Sequence, residues 1–342
     1  MAYTTINNSK LYQNTMLYTG DDGTRNITES GTFQADLVWL KRRNSPASHH
    51  LVDSVRGATK AIYSNATGAE ATDSTGVTGF VTDGFSLGGQ GGYNNNGDTF
   101  VSWTWKAGAS QTLNSGSVTS TVRANTTAGF SIVKWTGTAG NILVSHGLGV
   151  IPKVVMIKNL SNGSAQWVVY HVGTGNTKAC YLNTTATPTT ASGFFNNSTP
   201  DATDFIVSSD TAVNGSGNSM IAYCFADVQG YSKFSSYTGN GNADGSFVYT
   251  GFKPAFLMIK DATGSGEWLM WDNKRSPSNE MTKAIAANDS LVEDTTKEMD
   301  FLSNGFKIRT TDTNYNASSN TNIYMAFGQS IVGTNGVTAK AR

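Results

Sequence analysis

Charge is scarce in this chain. Charged residues make up 14% of its 342 residues, against roughly 25% in average soluble proteins. The 24 basic and 24 acidic side chains cancel, and no basic patch or tail stands out. The electrostatic footprint of nucleic-acid binding is therefore missing. Cysteine is scarcer still, with Cys180 and Cys224 alone. A disulfide framework is not implied, although one bridge between them stays open. No apolar stretch approaches the roughly 20 residues that a membrane-spanning helix needs. The opening Met-Ala-Tyr-Thr-Thr lacks the basic region and apolar run of a secretory signal. The expectation is a chain made soluble in its producer's cytoplasm, without membrane insertion.

Chemistry-bearing motifs are equally sparse. His49, His50, His146 and His171 form neither an H-x-H nor an H-x-x-x-H spacing, so no metal site or catalytic base is marked. Gly84-Phe85-Ser86-Leu87-Gly88 matches a nucleophile elbow literally. That motif needs a helix directly after the serine, and Gly89-Gln90-Gly91-Gly92 cannot start one there. Phosphate-binding and dinucleotide fingerprints are absent from the sequence, and no carboxylate pair for sugar hydrolysis stands out. No catalytic, cofactor or metal residue is assigned, and the expectation is a non-enzymatic protein.

What the chain does have is repetition. Leu17-Tyr18-Thr19-Gly20 returns as Lys134-Trp135-Thr136-Gly137 and as Ser236-Tyr237-Thr238-Gly239. The run Leu37 to Lys41 returns as Val154 to Lys158 and as Phe256 to Lys260. The tract Tyr93 to Trp105 returns as Val213 to Phe225 and as Tyr315 to Phe327. The first two landmarks shift by 117 and then 102 residues, the third by 120 and then 102. A near-constant offset across separated landmarks defines an internal repeat, and repetition decides architecture first. It also argues against an enzyme, whose single site is assembled from unrepeated parts.

Strand signals dominate: short runs of Val, Ile, Phe, Tyr and Trp bounded by Gly, Asn, Asp and Ser. In the last strand of each unit, large side chains alternate: Trp103 and Trp105, Tyr223 and Phe225, Met325 and Phe327. Alternation in every copy marks the core-facing side of a central strand. Helix evidence is thin, with Met281 to Ala287 as one candidate turn. The reading is all-β: three tandem antiparallel β-sandwich repeats of about 100 residues, jelly-roll and lectin-like. The expected boundaries are 1–106, a Ser/Thr-rich extended connector over 107–127, then 128–228, 229–330 and a tail over 331–342. Each unit is long enough to bury its own core.

Within the units, Asp53-Ser54-Val55-Arg56 matches Asp272-Asn273-Lys274-Arg275. These Asp–Arg pairs read as structural, pinning a loop onto the sandwich. The second unit carries Tyr170-His171-Val172-Gly173 there instead. Glu70 and Glu293 also fall at comparable places. The oxygen-rich loops Asn94 to Asp98, Asn214 to Asn218 and Asn316 to Asn320 could hold Ca²⁺ or serve as turns. Only Asp98 brings a full charge, which favours turns. Seven tryptophans could offer a sugar platform, but Trp103, Trp105, Trp167 and Trp268 read as core, so no carbohydrate site is assigned.

With these residues in view, the chain resembles the repeat-bearing structural proteins of tailed, especially marine, bacteriophages, of the tail or fibre type with concanavalin A-like lectin domains. The resemblance is carried by Ala2 to Ile6, Leu17 to Gly20, Asp36 to Lys41, Asp53 to Gly57 and Thr82 to Gly88. In the third unit it continues through Tyr237 to Gly241, Gly251 to Pro254 and Asp300 to Phe306. It implies a virion structural protein on a tail or fibre that contributes to host-surface attachment. Other virion proteins would be its partners, a host-surface glycan a further one, and a homotrimer the first oligomeric guess. A capsid decoration or head-fibre protein, and a carbohydrate-binding lectin, are the alternatives.

Overall fold

The computed structural model describes residues 4–331. The tail expected over 331–342 lies outside the described residues except for Ile331. The described chain is all-β, built from several antiparallel sheets.

The large sheets share one strand order. In the first, neighbouring strands run Gln13–Thr19, Thr99–Trp105, Leu37–Arg42, His50–Asp53. The second contains Phe130–Thr136, Ser219–Phe225, Val154–Asn159, Val168–His171 in the same sequence. The third runs Ser232–Thr238, Thr321–Gly328, Pro254–Asp261, Leu269–Asp272. Each large sheet is accompanied by a smaller one, whose members include Gly84–Leu87, Asp204–Val207 and Gly305–Ile308. Register fixes equivalence between units. Trp103, Tyr223 and Met325 lie opposite Trp39, Met156 and Met258, so these six occupy matching places.

The core is distributed differently from the expectation. The alternating large residues do not fill three separate sandwiches. Trp103, Trp105, Tyr223, Phe225, Met325 and Phe327 all belong to one apolar cluster shared by the three units. The rings of Trp105, Phe225 and Phe327 form a triangle, with centroids 6.1, 5.8 and 6.0 Å apart. The opposite faces of the same strands build a smaller core in each unit. Phe100 packs with Phe85 and Leu87, Ala222 with Val207 and Phe205, and Tyr324 with Phe306 and Ile308. Both faces of the central strands are therefore buried. The bulkier face meets the other units because a three-way junction leaves more volume to fill.

Three local expectations are corrected. The segment 107–127 is no bare connector. It contributes Ser110–Leu113 and Ser120–Asn125, which extend the second large sheet beyond Phe130–Thr136. Val122 is fully buried there, and Arg123 pairs with Asp36 of the first unit at 3.2 Å. The Ser/Thr-rich composition hid an alternation in which only one side is apolar. The run Met281 to Ala287 forms no helix, and Ile285–Ala286 is a two-residue strand. The Gly/Asn-rich tracts before the last strands do contain helix, one turn each: Gly91–Asn94, Thr211–Asn214 and Thr313–Asn316. Their caps are the side chains of Gln90, Asp210 and Asp312, which accept from backbone N–H groups two residues on. The run Gly89 to Gly92, expected to start none, therefore opens a helical turn, although five residues past Ser86 and not directly after it.

The two ends of the described chain meet. Ile331 donates its N–H to the Asn7 carbonyl at 3.1 Å, and the Ser330 hydroxyl donates to Asn8 Oδ1 at 2.9 Å.

Candidate functional site

The polar residues that recur in the sequence converge on the seams between units. The strand lysines come first. Lys41, Lys158 and Lys260 are fully buried. An ammonium out of water needs oxygen acceptors, and each lysine finds one in a neighbouring unit. Lys158 Nζ donates to the Thr67 carbonyl of unit one at 2.7 Å. Lys260 reaches Thr185 of unit two at 3.2 Å, and Lys41 reaches Ser290 of unit three at 3.2 Å. Each also donates to a carbonyl of its own unit. Burial pulls the Lys41 and Lys158 pKa values down to about 8, and that of Lys260 also falls.

A second set follows the same direction. Trp167 Nε1 donates to the Tyr63 carbonyl at 2.9 Å, and Trp268 Nε1 to the Tyr181 carbonyl at 2.9 Å. The equivalent position in unit one is His49, whose Nε2 lies 3.0 Å from the Ala286 carbonyl. His49 Nδ1 accepts from Trp39 Nε1 at 2.9 Å, so the ring is the neutral Nε2–H tautomer. Burial holds its pKa well below the usual histidine value. Unit two thus donates to unit one, unit three to unit two and unit one to unit three. The pattern closes on itself.

The Asp–Arg pairs point the opposite way around. Asp53, His171 and Asp272 occupy one register position, opposite Leu37, Val154 and Phe256. Asp53 accepts from the Arg56 Nε and backbone N–H, and across the seam from the Tyr223 hydroxyl at 2.8 Å. Asp272 accepts from Arg275 Nε at 2.5 Å and across its seam from Trp103 Nε1 at 3.1 Å. The Arg275 guanidinium lies 5.3 Å from the Trp103 ring centroid. Arg56 also pairs with Glu70, and Arg275 with Glu293, each at 3.3 Å. Burial works against the Arg56 charge, but the Asp53 carboxylate outweighs it and holds the pKa above the usual arginine value. These pairs do more than pin a loop, because their carboxylates are the acceptors for the next unit's central strand. Unit two substitutes His171, whose Nε2 reaches the Tyr324 carbonyl at 3.1 Å while Nδ1 accepts from the Gly173 N–H. Burial lowers its pKa to about 4.

The remaining candidates separate. The Asn-loop oxygens are occupied by N–H donors: Asn94 Oδ1 accepts from Asp21, Asn214 Oδ1 from Thr138 and Asn316 Oδ1 from Asn240. Asp98 pairs with Arg42 at 2.9 Å. No group of three His, Cys, Asp or Glu side chains that could hold a metal occurs among the described residues. Cys180 and Cys224 are buried and free, in different clusters, which closes the question of a bridge. Burial raises both thiol pKa values to about 12. Ser86 lies on a strand and donates to Asn26 Oδ1. All seven tryptophans are buried. His50 packs against Tyr93, ring centroids 4.0 Å apart.

Two features escaped sequence reasoning. The lysines were legible as landmarks but not as buried seam donors, although a charge recurring at the end of an apolar strand is the signal for it. The His49, Trp167 and Trp268 equivalence needed the strand register, because histidine and tryptophan share no obvious chemistry beyond a ring N–H.

The fold and these seams define an all-β protein of three like-ordered units locked together by buried hydrogen bonds. The chain belongs to the family described as Domain of unknown function (DUF7483), whose model matches residues 8–330. No curated protein matches it.

Proposed function

We propose that the chain is a non-enzymatic virion structural protein of a tailed phage, a tail or fibre component that contributes to host-surface attachment. In this reading its three units are jelly-roll, lectin-like sandwiches, and it acts among other virion proteins. One observation carries most weight: recurring buried groups, Lys41, Lys158 and Lys260 above all, are spent on holding units together. A body whose buried charges serve cohesion suits a load-bearing part. The neutral, amide- and hydroxyl-rich composition and the family likeness in sequence support the same reading. Virion fibres are commonly symmetric homo-oligomers, and a homotrimer is proposed accordingly.

The test is immunogold labelling of purified particles, with mass spectrometry of the same preparation. Label on the tail is the expected result. Label on the capsid would move the protein to head decoration. Absence from washed particles would overturn the virion reading.

A further inference from the structure

The three seams are not alike. Seven residues beyond Tyr63, Tyr181 and Ala286 stand Glu70, Pro188 and Glu293. Three residues beyond Asp53, His171 and Asp272 stand Arg56, Thr174 and Arg275. Two seams therefore hold a buried arginine paired with a partly exposed glutamate, while the seam between units two and three holds Thr174 and Pro188. The backbone changes with it. Glu70 donates its N–H to the Leu160 carbonyl, and Glu293 to the Arg43 carbonyl, each at 2.9 Å. Ala262 is the equivalent acceptor in the third seam, and Pro188 has no N–H to give it.

A cleft of about 420 Å³ lies at this place. Thr174 and Pro188 line it, with Lys178 and Thr187 from unit two and Ala262 and Thr263 from unit three. Its size matches a small-molecule site. Its chemistry is one ammonium, several hydroxyls and a main-chain carbonyl deprived of its usual donor. We propose that this cleft binds a sugar acid, a saccharide residue carrying a carboxylate. The carboxylate pairs with Lys178. A ligand hydroxyl donates to the Ala262 carbonyl, where Glu70 and Glu293 present N–H groups in the other seams. The remaining hydroxyls exchange hydrogen bonds with Thr174, Thr187 and Thr263.

This deepens the attachment reading and rests on it for biological meaning, but the binding itself is a property of the purified chain. Binding would therefore survive a failure of the particle-labelling test, and the reverse also holds.

The probe is D-glucuronate, titrated into the full chain by calorimetry and saturation-transfer NMR. D-Glucose and acetate serve as arms lacking the carboxylate and the hydroxyls. Two variants accompany the natural chain: Lys178→Ala, which changes an exposed side chain, and the combination His171→Asp, Thr174→Arg, Pro188→Glu, which rebuilds the other seams' network. Saturable glucuronate binding is expected, weaker for both partial ligands. Lys178→Ala should weaken it about tenfold or more, as loss of a charge-assisted hydrogen bond does, and the rebuilt seam should abolish it. The proposal is overturned by no saturable binding, by equal binding of glucose or acetate, or by unchanged affinity in Lys178→Ala. That single variant decides the matter if the triple variant does not fold.

Discussion

The Tyr223 hydroxyl of the second unit donates to Asp53 Oδ2 of the first at 2.8 Å, on the carboxylate oxygen that also receives Arg56 Nε. One buried anion thus serves its own unit's arginine and a neighbour's central strand. Removing Asp53 leaves the buried guanidinium with Glu70, at 3.3 Å, as its remaining carboxylate partner. Asp53→Ala should destabilise the protein by about 3–5 kcal/mol. Asp53→Ala with Arg56→Met should cost less than Asp53→Ala alone, because no buried guanidinium is left and the partly exposed Glu70 is solvated. Urea unfolding of the four members of this double-mutant cycle measures the difference.

The ring triangle at the centre is a second sensitive point. Phe225→Ala should cost about 3–5 kcal/mol and lower cooperativity across all three units, since Trp105 and Phe327 lose the same neighbour. Trp167→Phe is the milder change. It keeps most of the volume but removes the indole donor from the Tyr63 carbonyl, which retains only the longer bond from the Ala66 N–H at 3.3 Å, at about 1 kcal/mol. Thermal melts followed by intrinsic fluorescence check both.

Stability should fall in mild acid. Burial lowers the pKa of His50 and His171 to about 4, that of His49 well below the usual value, and that of His146 as well. The unfolded chain therefore takes up these protons first, near pH 6.5. The histidine contribution is fully present above that pH and is lost as pH falls towards 4. Glu29 acts the other way. Burial raises its pKa to about 7, so its contribution is present below the unfolded carboxyl pKa and is lost as pH rises towards 7. Asp227 and Asp289, whose pKa values burial also raises, act with Glu29, and four histidines against these three carboxyls still make a net loss on acidification the expected outcome. Chemical denaturation at pH 7 and pH 5 measures it, and His171→Gln should shrink the difference.

Cutting the chain should not separate its units. A protease site placed among the exposed residues of 114–119 lies between two strands of the former connector. After cleavage the fragments should co-elute on size exclusion in native buffer and part only in denaturant, because the shared apolar cluster holds them. Fragments that elute separately without denaturant would contradict a shared core.

How much of this was legible beforehand depends on the range of the signal. The alternation of Trp103 with Trp105, and its echoes in the other units, identified the central strands and their apolar face, because period-two burial is a local property. It could not say what lay against that face. A residue facing its own sandwich and one facing a neighbouring unit carry the same pattern. The Asp53–Arg56 pair was readable because its residues are three apart, whereas the partner Tyr223 is far along the chain. Val122 and Ala124 were overlooked because serine and threonine around them read as linker chemistry. Pro188 meant nothing until the seam acceptors Tyr63, Tyr181 and Ala286 were matched, which makes it the counterpart of Glu70 and Glu293.

Because the three seams are encoded separately, each can change without altering the others. A trimer of identical chains has no such liberty: any substitution appears at all three contacts at once. The replacement of Arg and Glu by Thr174 and Pro188 at a single seam is a change that only a fused chain can make, trading cohesion at one junction for an opening while two intact junctions keep the body whole.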